Sequence, residues 1–270
     1  MQLRDLHIHS RFSGDCDTEL TDICERAISS GVREVAFTDH VDFNPLDGSY
    51  YYLKPVPYLD EIGRCRDIYG DRLTIRSGVE ISEPHIYVAE TERLLTSHQF
   101  DLVIGSLHWV GSRPDWNSHY FEGFTFDEGM RAYFDELERM VTDPRSDFDI
   151  LGHLDMVRRP VYYSFGRTDI DYAPYEDQIR RILRSLIERG RTLEINTATY
   201  RRGMGDTCPS LQVLRWYVDE GGAQLTLGSD AHTADSIAAC FDYAAELARA
   251  AGLTRLVSYE NRQVIWIGLD

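Results

Sequence analysis

Six histidines of this chain follow short apolar segments, where a metal enzyme would place its ligands. His7 and His9 are two residues apart, so the alternation of side chains along a strand would place both imidazoles on one face. Imidazole and carboxylate donors together suit zinc, iron or manganese. A pair of histidines could equally be hydrogen-bonded structural residues, but six of them at five strand ends favour a metal site. The predicted metal ligands are His7, His9, Asp15, His40, Glu80, His108, His153, Asp230 and His232.

Several metal ions held close together have a known use in catalysis. They lower the pKa of a bound water and clamp the attacking and leaving oxygens of a phosphoryl displacement. We therefore predict a phosphate ester hydrolase. In this prediction a metal-bound hydroxide, held at the Glu80 and Asp230 site, attacks the phosphorus atom.

Four arginines follow the fifth and sixth predicted strands, and they could bind the phosphate oxygens. Arginine presents a planar fork of donors that matches phosphate geometry. The two pairs are Arg158 with Arg159, and Arg201 with Arg202. Simple solvent exposure on a loop accounts equally well for Arg159 and Arg202.

Apolar segments alternate with segments of helical periodicity along the whole chain. Strands are predicted at residues 3–8, 32–37, 73–80, 102–106, 148–151, 192–196 and 223–227, with short ones near 256–257 and 264–267. This alternation predicts a parallel sheet. A closed barrel gathers its strand ends in one ring, whereas an open doubly wound sheet would spread them along a line. We therefore predict an α/β barrel of about seven strand–helix units.

The segments between these strands are predicted as helices and long loops. Helices are predicted at residues 18–30, 58–69, 85–97, 126–141, 175–189, 210–220 and 236–251. Long loops are predicted at residues 44–57, 109–124 and 155–171. Aromatic side chains in these loops could form the roof of a pocket for an imidazole or a nucleobase.

The composition limits the partners and the location. The chain has 270 residues and 43% hydrophobic residues, and we predict a single domain over residues 1–270. The formal net charge of −17 argues against nucleic acid and anionic membranes as partners. The five cysteines form no C-x-x-C pair, and we find no signal peptide and no apolar segment of roughly 20 residues. We therefore expect a reduced, cytoplasmic protein, and the sequence does not predict its oligomeric state.

Seven stretches of the sequence resemble the polymerase-and-histidinol-phosphatase (PHP) family, and most closely its monofunctional histidinol-phosphatase branch. In chain order they are Asp5-Leu6-His7-Ile8-His9-Ser10, Phe37-Thr38-Asp39-His40, Gly78-Val79-Glu80, Ile104-Gly105-Ser106-Leu107-His108, Gly152-His153, Glu194-Ile195-Asn196-Thr197 and Gly228-Ser229-Asp230-Ala231-His232. They extend over the whole chain, and as a set they are highly specific for the superfamily.

The resemblance implies a distorted seven-stranded (β/α)7 barrel, similar to a TIM barrel, with three divalent metal ions (Zn, Fe or Mn). The first metal would be bound by His7, His9, Glu80 and Asp230. The second would be bound by Glu80, His108 and His153, and the third by Asp15, His40 and His232. Asp15 stands where many family members carry a histidine, and its harder oxygen donor favours iron or manganese at the third site. The resemblance also favours Arg158 and Arg201 as the phosphate-binding residues.

Four further residues are predicted to support the ligands: Asp39, Glu194, Asn196 and His85. A carboxylate next to a metal-binding histidine can orient the ring by accepting its second N–H. For Asp39, a role in a turn is an equally good explanation.

The predicted activity is phosphomonoester hydrolysis, with histidinol phosphate of histidine biosynthesis as the first candidate substrate. The cationic amine of that small molecule would be attracted by an acidic rim. A nucleotide, another small phosphate ester or a nucleic acid 3′ end is the alternative, and the acidity argues against long nucleic acid. A non-catalytic, metal-stabilised barrel ranks lower, because all the expected ligand positions are filled.

Overall fold

Seven parallel strands form a nearly closed barrel, which confirms the predicted seven-stranded (β/α)7 fold. The computed structural model describes residues 2–269. Its strands are β1 Arg4–Ile8, β2 Glu34–Phe37, β3 His40–Val41, β4 Thr74–Ser82, β5 Leu102–Ser106, β6 Trp109–Val110, β7 Arg113–Pro114, β8 Ile150–Leu151, β9 Thr192–Asn196, β10 Leu225–Gly228, β11 Arg255–Glu260 and β12 Gln263–Gly268. The hydrogen-bonded order is β1-β2-β4-β5-β8-β9-β10, and β3 pairs with β4 beyond the end of β2.

The first and last barrel strands meet at their carboxyl ends. The Asp230 N–H donates to the His7 carbonyl at 2.8 Å, and the His9 N–H donates to the Ala231 carbonyl at 2.9 Å. Ile8 and Ala231 form an isolated parallel bridge. The barrel is therefore closed at the end of the strands from which the predicted ligands project.

The barrel strands are buried on both faces. Every residue of β2, β5, β9 and β10 is buried, as expected for parallel strands with helices outside and side chains inside. Near the amino ends of the strands the interior is apolar, with Leu6, Ala36, Leu102, Ile104 and Ile150 in one cluster. Val257 and Tyr259 of the antiparallel β11–β12 hairpin complete this cluster, so the hairpin covers the end of the barrel opposite to the histidines.

Helices surround the barrel, and their apolar faces pack against it. They are α1 Leu20–Ser29, α2 Pro55–Tyr69, α3 Val88–Ser97, α4 Phe126–Thr142, α5 Arg158–Phe165, α6 Glu176–Glu188, α7 Ala198–Arg201, α8 Leu211–Asp219 and α9 Phe241–Ala251. In α6 the buried residues are three or four apart, the spacing of a core-facing stripe: Ile179, Ile182, Leu183 and Leu186. No helix in the described part of the chain combines the length and the apolarity needed to cross a membrane.

The structure differs from the sequence prediction mainly between the barrel strands. Helix α5 occupies part of the predicted loop at residues 155–171, because eight residues are too few to show a clear helical period. The helix predicted from residue 236 begins only at Phe241, since Cys240 has a left-handed backbone with φ of 64°. The predicted loop at residues 109–124 contains the β6–β7 hairpin and a 3-10 turn at Ser118–Phe121.

Candidate metal centre

The predicted metal ligands lie together at the carboxyl ends of the barrel strands. His7 lies in β1 and His9 directly follows it, while His40 lies in β3 and Glu80 in β4. The others lie in the loops after β1, β5, β8 and β10: Asp15, His108, His153, Asp230 and His232. Parallel barrels place their active sites at this rim.

Glu80 lies in the middle of the cluster, and its two carboxylate oxygens face different histidines. Oε2 is 3.0 Å from His40 Nδ1 and 3.3 Å from His7 Nε2. Oε1 is 2.8 Å from His153 Nε2 and 3.4 Å from His108 Nε2. A carboxylate placed between two groups of imidazoles can contribute one oxygen to each of two cations.

A second part of the cluster forms around Asp230 and Asp15. Asp230 Oδ1 lies 3.3 Å from His9 Nε2 and 3.4 Å from His232 Nδ1. Asp15 Oδ2 lies 3.1 Å from His232 Nε2 and 3.7 Å from His40 Nε2. The residues expected at the first and third metals are thus direct neighbours, and the His9 and His232 rings stack with centroids 4.2 Å apart.

Several buried donor atoms of the cluster lie close to one another but make no hydrogen bond of regular geometry among residues 2–269: His7 Nε2, His9 Nε2, His40 Nδ1 and Glu80 Oε2. Burying unpaired polar atoms is costly unless they bind a cation. Three sets have ligand atoms within 4.8 Å of one another: His7, His9 and Asp230; His9, His40 and His232; and His40, Glu80 and His108. The chemistry of these donors and their convergence fit divalent metal ions.

The electrostatics of Glu80 and His9 favour the protonation states that bind metals, whereas nearby carboxylates, Glu80 among them, outweigh burial and raise the pKa of His7, His40 and His108. Burial opposes the ionisation of Glu80, but His7 and His108 hold the pKa of its carboxyl well below the usual range. Burial, together with the neighbouring His232, lowers the pKa of His9 to about 3. The carboxylate is therefore ionised and the His9 imidazole neutral, as metal binding requires.

Of the four predicted supporting residues, Glu194 contacts the cluster directly, and Asn196 and Asp39 are connected to it through one further side chain. Glu194 Oε1 lies 2.7 Å from His7 Nδ1, and Glu194 Oε2 accepts the His153 backbone N–H at 2.8 Å. Asn196 donates to Glu194 Oε2 at 3.4 Å. Asp39 accepts a hydrogen bond from the Ser13 hydroxyl, which also lies next to His9. Glu194 therefore contacts His7 directly, whereas the Asp39 side chain is connected to His9 through a serine.

His85, the fourth predicted supporting residue, lies apart from the cluster. Its Nε2 is 2.7 Å from Glu136 Oε1 in α4. The chain leaves β4 through Glu83, whose left-handed φ of 47° lies between the strand and His85. Within the described residues His85 makes no hydrogen bond to a predicted ligand, so its structural contacts do not support the predicted role.

Two of the predicted ligands have unusual backbone conformations. His153 has φ of 22° and Asp230 has φ of 51°. Non-glycine residues adopt such values only where surrounding contacts enforce them, and they cluster at functional sites. At Asp230 these contacts include Arg201, whose guanidinium donates to the carbonyls of Ser229 at 2.6 Å and Asp230 at 3.3 Å.

A cavity of about 400 Å³ opens over the cluster. Besides predicted ligands, its lining includes two arginines, three aspartates and an aromatic ring: Arg159, Arg202, Asp42, Asp47, Asp115 and Trp116. Asp115 is fully buried, and neither of its carboxylate oxygens has a hydrogen-bond partner in residues 2–269. Burial raises the pKa of Asp115 to about 6. The cavity thus presents both cationic and anionic groups above the donor cluster.

The two arginines predicted to bind phosphate do not line this cavity. Arg158 is only 2% exposed, and its guanidinium donates to the Thr168 carbonyl at 3.0 Å and lies 3.8 Å from Asp155. The Arg201 guanidinium donates to the backbone carbonyls of Ser229 and Asp230, which precede His232. The adjacent residues Arg159 and Arg202 face the cavity instead. The residues that face the cavity thus differ by one position in each pair from those predicted, and the guanidinium groups of Arg158 and Arg201 donate to backbone carbonyls.

Sequence reasoning missed several residues of the site. Asp115 and Trp116 lie in a segment predicted only as an aromatic loop, without a motif that marks either one. Ser13 and Ser82 contact histidines of the cluster, yet isolated serines carry no recognisable pattern. Asp42 could have been recognised from the sequence, because it lies two residues after His40 and an extended chain would place both side chains on the same face.

Known proteins resemble this chain over nearly its full length. The PHP domain model matches residues 5–198. The histidinol-phosphatase of Lactococcus lactis subsp. lactis is 28% identical over 266 residues, which cover 98% of this chain and 97% of that protein. A crystal structure of histidinol phosphate phosphatase from Lactococcus lactis, complexed with zinc, L-histidinol and phosphate, superposes with a TM-score of 0.87. It is 27% identical and the match covers 98% of this chain and 99% of that one.

The parallel barrel and its ring of histidines and carboxylates define the fold of a PHP domain. The chain belongs to the PHP domain family. Within that family, the two relatives described above are histidinol-phosphatases that match this chain from end to end.

Proposed function

We propose that this protein is a metal-dependent phosphomonoester hydrolase that converts histidinol phosphate and water to histidinol and phosphate. The observation that carries the proposal is the convergence of nine nitrogen and oxygen donor residues beneath one cavity that also contains arginines and aspartates. The similarity to histidinol-phosphatases over whole chains supports this choice of substrate. Histidine biosynthesis is the corresponding pathway.

We propose three divalent ions, Zn, Fe or Mn, in this centre. The residues that would bind them are His7, His9, Glu80 and Asp230 for the first; Glu80, His108 and His153 for the second; and Asp15, His40 and His232 for the third. When bound, such ions supply a water of lowered pKa and positive charge for the phosphoryl oxygens. The hard carboxylate oxygen of Asp15 favours iron or manganese in the third position.

Arg159 and Arg202 are the proposed phosphate-binding residues. Both line the cavity, whereas the guanidinium groups of Arg158 and Arg201 are bound to protein carbonyls. A guanidinium in the cavity can donate two parallel hydrogen bonds to phosphoryl oxygens. Arg158 and Arg201 would then hold the neighbouring loops in place without touching the substrate.

Asp115 is the proposed contact for the cationic end of the substrate. Its carboxylate is buried, lines the cavity and has two oxygens without a partner in the described chain, so a cationic amine would supply the missing donors. Asp42 and Asp47 also line the cavity and add negative charge, while Trp116 offers an apolar face for a ring. Histidinol phosphate combines a phosphate, an amine and an imidazole, and thus matches these groups.

The test is phosphate release by the purified full-length chain, loaded separately with Zn, Fe or Mn. Histidinol phosphate should be hydrolysed with a higher kcat/KM than a nucleoside monophosphate or an uncharged phosphate monoester. A chelator should abolish hydrolysis, and added metal should restore it. Faster turnover of nucleotides would contradict the substrate, and full activity after chelation would contradict the metal-dependent mechanism.

A further inference from the structure

Two histidines of the metal centre reach a buried carboxylate through an intervening serine hydroxyl. His7 contacts Glu194 directly at 2.7 Å. His9 and His108 each contact a serine, and each serine in turn contacts an aspartate. The same arrangement therefore occurs twice, on separate elements of the barrel.

The hydrogen bonds around Ser13 leave one consistent arrangement. A serine hydroxyl has one hydrogen to donate and two lone pairs that accept. Ser13 Oγ donates its hydrogen to Asp39 Oδ1 at 2.8 Å and accepts the His40 backbone N–H at 3.0 Å. The remaining contact, 3.1 Å to His9 Nδ1, is satisfied only if that nitrogen donates.

A proton on His9 Nδ1 determines the state of the other ring nitrogen. In the neutral imidazole only one nitrogen carries hydrogen, so Nε2 presents a lone pair. His9 Nε2 lies 3.3 Å from Asp230 Oδ1 and 3.5 Å from Glu80 Oε2, among the other predicted ligand atoms. The serine therefore directs the lone pair of His9 into the metal centre.

The same count applies to Ser82 and His108. Ser82 Oγ donates to Asp42 Oδ1 at 2.5 Å, so its contact of 2.8 Å with His108 Nδ1 requires that nitrogen to be the donor. In the neutral imidazole, which metal binding requires, His108 Nε2 then presents its lone pair 3.4 Å from Glu80 Oε1. Ser13 and Ser82 are 1% and 0% exposed, which prevents bulk water from replacing either hydroxyl.

We propose that Ser13 and Ser82 are positioning residues that fix His9 and His108 in the tautomer whose Nε2 binds metal. Each serine accepts a hydrogen bond from the ring and donates one to an aspartate. It therefore holds the ring as a carboxylate does when it contacts a metal-bound histidine directly. The inference rests on the metal centre of the proposed function. It adds two residues that touch neither substrate nor metal.

Zinc affinity of the full-length chain tests this inference. The dissociation constant is measured by competition with a chromophoric chelator for the parent chain and for Ser13→Ala and Ser82→Ala. Loss of a residue that orients a metal ligand typically weakens metal binding by about 10- to 100-fold, and we expect this range for each variant. Ser146→Ala is the matched control, because Ser146 is equally buried and its hydroxyl has no partner in the described chain. It should bind zinc as the parent does.

Two further measurements separate positioning from folding. Ser13→Thr and Ser82→Thr keep the hydroxyl and should recover most of the zinc affinity that the alanine variants lose. Long-range ¹H–¹⁵N spectra of the zinc-loaded parent should show the ring proton of His9 and His108 on Nδ1. These spectra test the tautomer even where an alanine variant fails to fold.

Results that contradict this inference can be distinguished from results that contradict the proposed function. Zinc affinities of Ser13→Ala and Ser82→Ala equal to that of Ser146→Ala would overturn the inference while leaving the metal centre intact. Protons found on Nε2 of both histidines would overturn it as well. A parent chain that binds no zinc, iron or manganese would overturn the proposed function and this inference together.

Discussion

Glu80 offers both carboxylate oxygens to histidines on opposite sides, and this makes it the residue on which the cluster depends most. Oε2 faces His7 and His40, and Oε1 faces His108 and His153. Ser106 donates to Oε1 at 2.6 Å and fixes the orientation of the carboxylate. No other carboxylate within residues 2–269 has this set of neighbours.

Glu80→Gln should reduce hydrolysis by more than about 100-fold, a larger loss than that expected for a residue that only orients a ligand. The amide keeps the shape of the side chain but removes the negative charge shared by two metal positions. Bound metal per chain should also decrease when it is measured by elemental analysis. Glu122→Gln, an exposed glutamate outside the cavity, is the control. Equal metal content in the two variants would contradict the central role of Glu80.

Arg159→Ala and Arg202→Ala should each lower kcat/KM by about 10- to 100-fold, since a hydrogen bond to a charged group contributes about 1.5–3 kcal/mol. Arg158→Met should instead lower stability by about 3–5 kcal/mol, because it leaves the buried Asp155 without its neighbouring charge. Steady-state kinetics and urea unfolding distinguish the two effects. A large decrease in kcat/KM for a fully folded Arg158→Met variant would instead favour Arg158 as a phosphate-binding residue.

Asp115→Asn should raise KM for histidinol phosphate by about 10-fold, corresponding to about 1.4 kcal/mol, because a neutral amide attracts the amine less strongly. KM for a phosphate monoester with an uncharged leaving group should change little. Comparing the two substrates on the same variant provides an internal control. Equal effects on both would indicate that Asp115 shapes the cavity without recognising the cation.

The loop after β10 shows how an element places its ligands. Asp5 of β1 is buried and accepts the backbone N–H groups of Ser229 at 2.9 Å and Ala238 at 2.8 Å. One side chain thus binds both ends of the loop that carries Asp230 and His232. The loop is attached to the strand that carries His7, which fixes the two halves of the cluster relative to each other.

Asp5→Ala should destabilise the protein by about 1–3 kcal/mol for each of the two buried N–H groups that lose their acceptor. We also expect weaker metal binding, because the loop with Asp230 and His232 loses its attachment. Urea unfolding and chelator competition measure the two effects. Asp17→Ala, at an exposed position near the same rim, should change neither quantity.

Elements also explain which predictions from the sequence succeeded. The convergence of the predicted ligands could be foreseen because they lie at or after strand ends, and the direction of a parallel strand fixes the rim at which its end lies. The directions of the Arg158 and Arg159 side chains could not be foreseen, because residues 155–171 were predicted as a loop. In the helix α5 that lies there, consecutive residues point about 100° apart, so Arg158 points into the protein while Arg159 faces the cavity. Without the prediction of this helix, the directions of its side chains could not be predicted either.

On the scale of the whole molecule, bound metal ions would connect several strands of the barrel. The predicted ligands come from the ends of β1, β4, β5, β8 and β10 and from β3, so a bound ion restrains elements far apart in sequence. The alternation of strands and helices predicted a parallel sheet, and the clusters at the strand ends favoured a closed ring over an open sheet. The β11–β12 hairpin at the opposite end was seen only as two short strands, because its role depends on contacts with the barrel interior.

Removal of metal should therefore lower global stability. A ligand that binds only the folded state stabilises it by about 2.7 kcal/mol at a free concentration 100 times its dissociation constant. Urea unfolding with zinc and with a chelator measures the difference. The Glu80→Gln variant should show a smaller difference than the parent, and equal differences would mean that zinc stabilises the fold from some other location.

The pairing of β1 with the loop after β10 has a consequence for biosynthesis. In a nascent chain His7 and His9 are synthesised before their neighbours Asp230 and His232, which leave the ribosome only after all seven strands of the barrel. The complete set of predicted ligands therefore exists only after the last barrel strand has been synthesised, and until then the growing polypeptide carries an incomplete set.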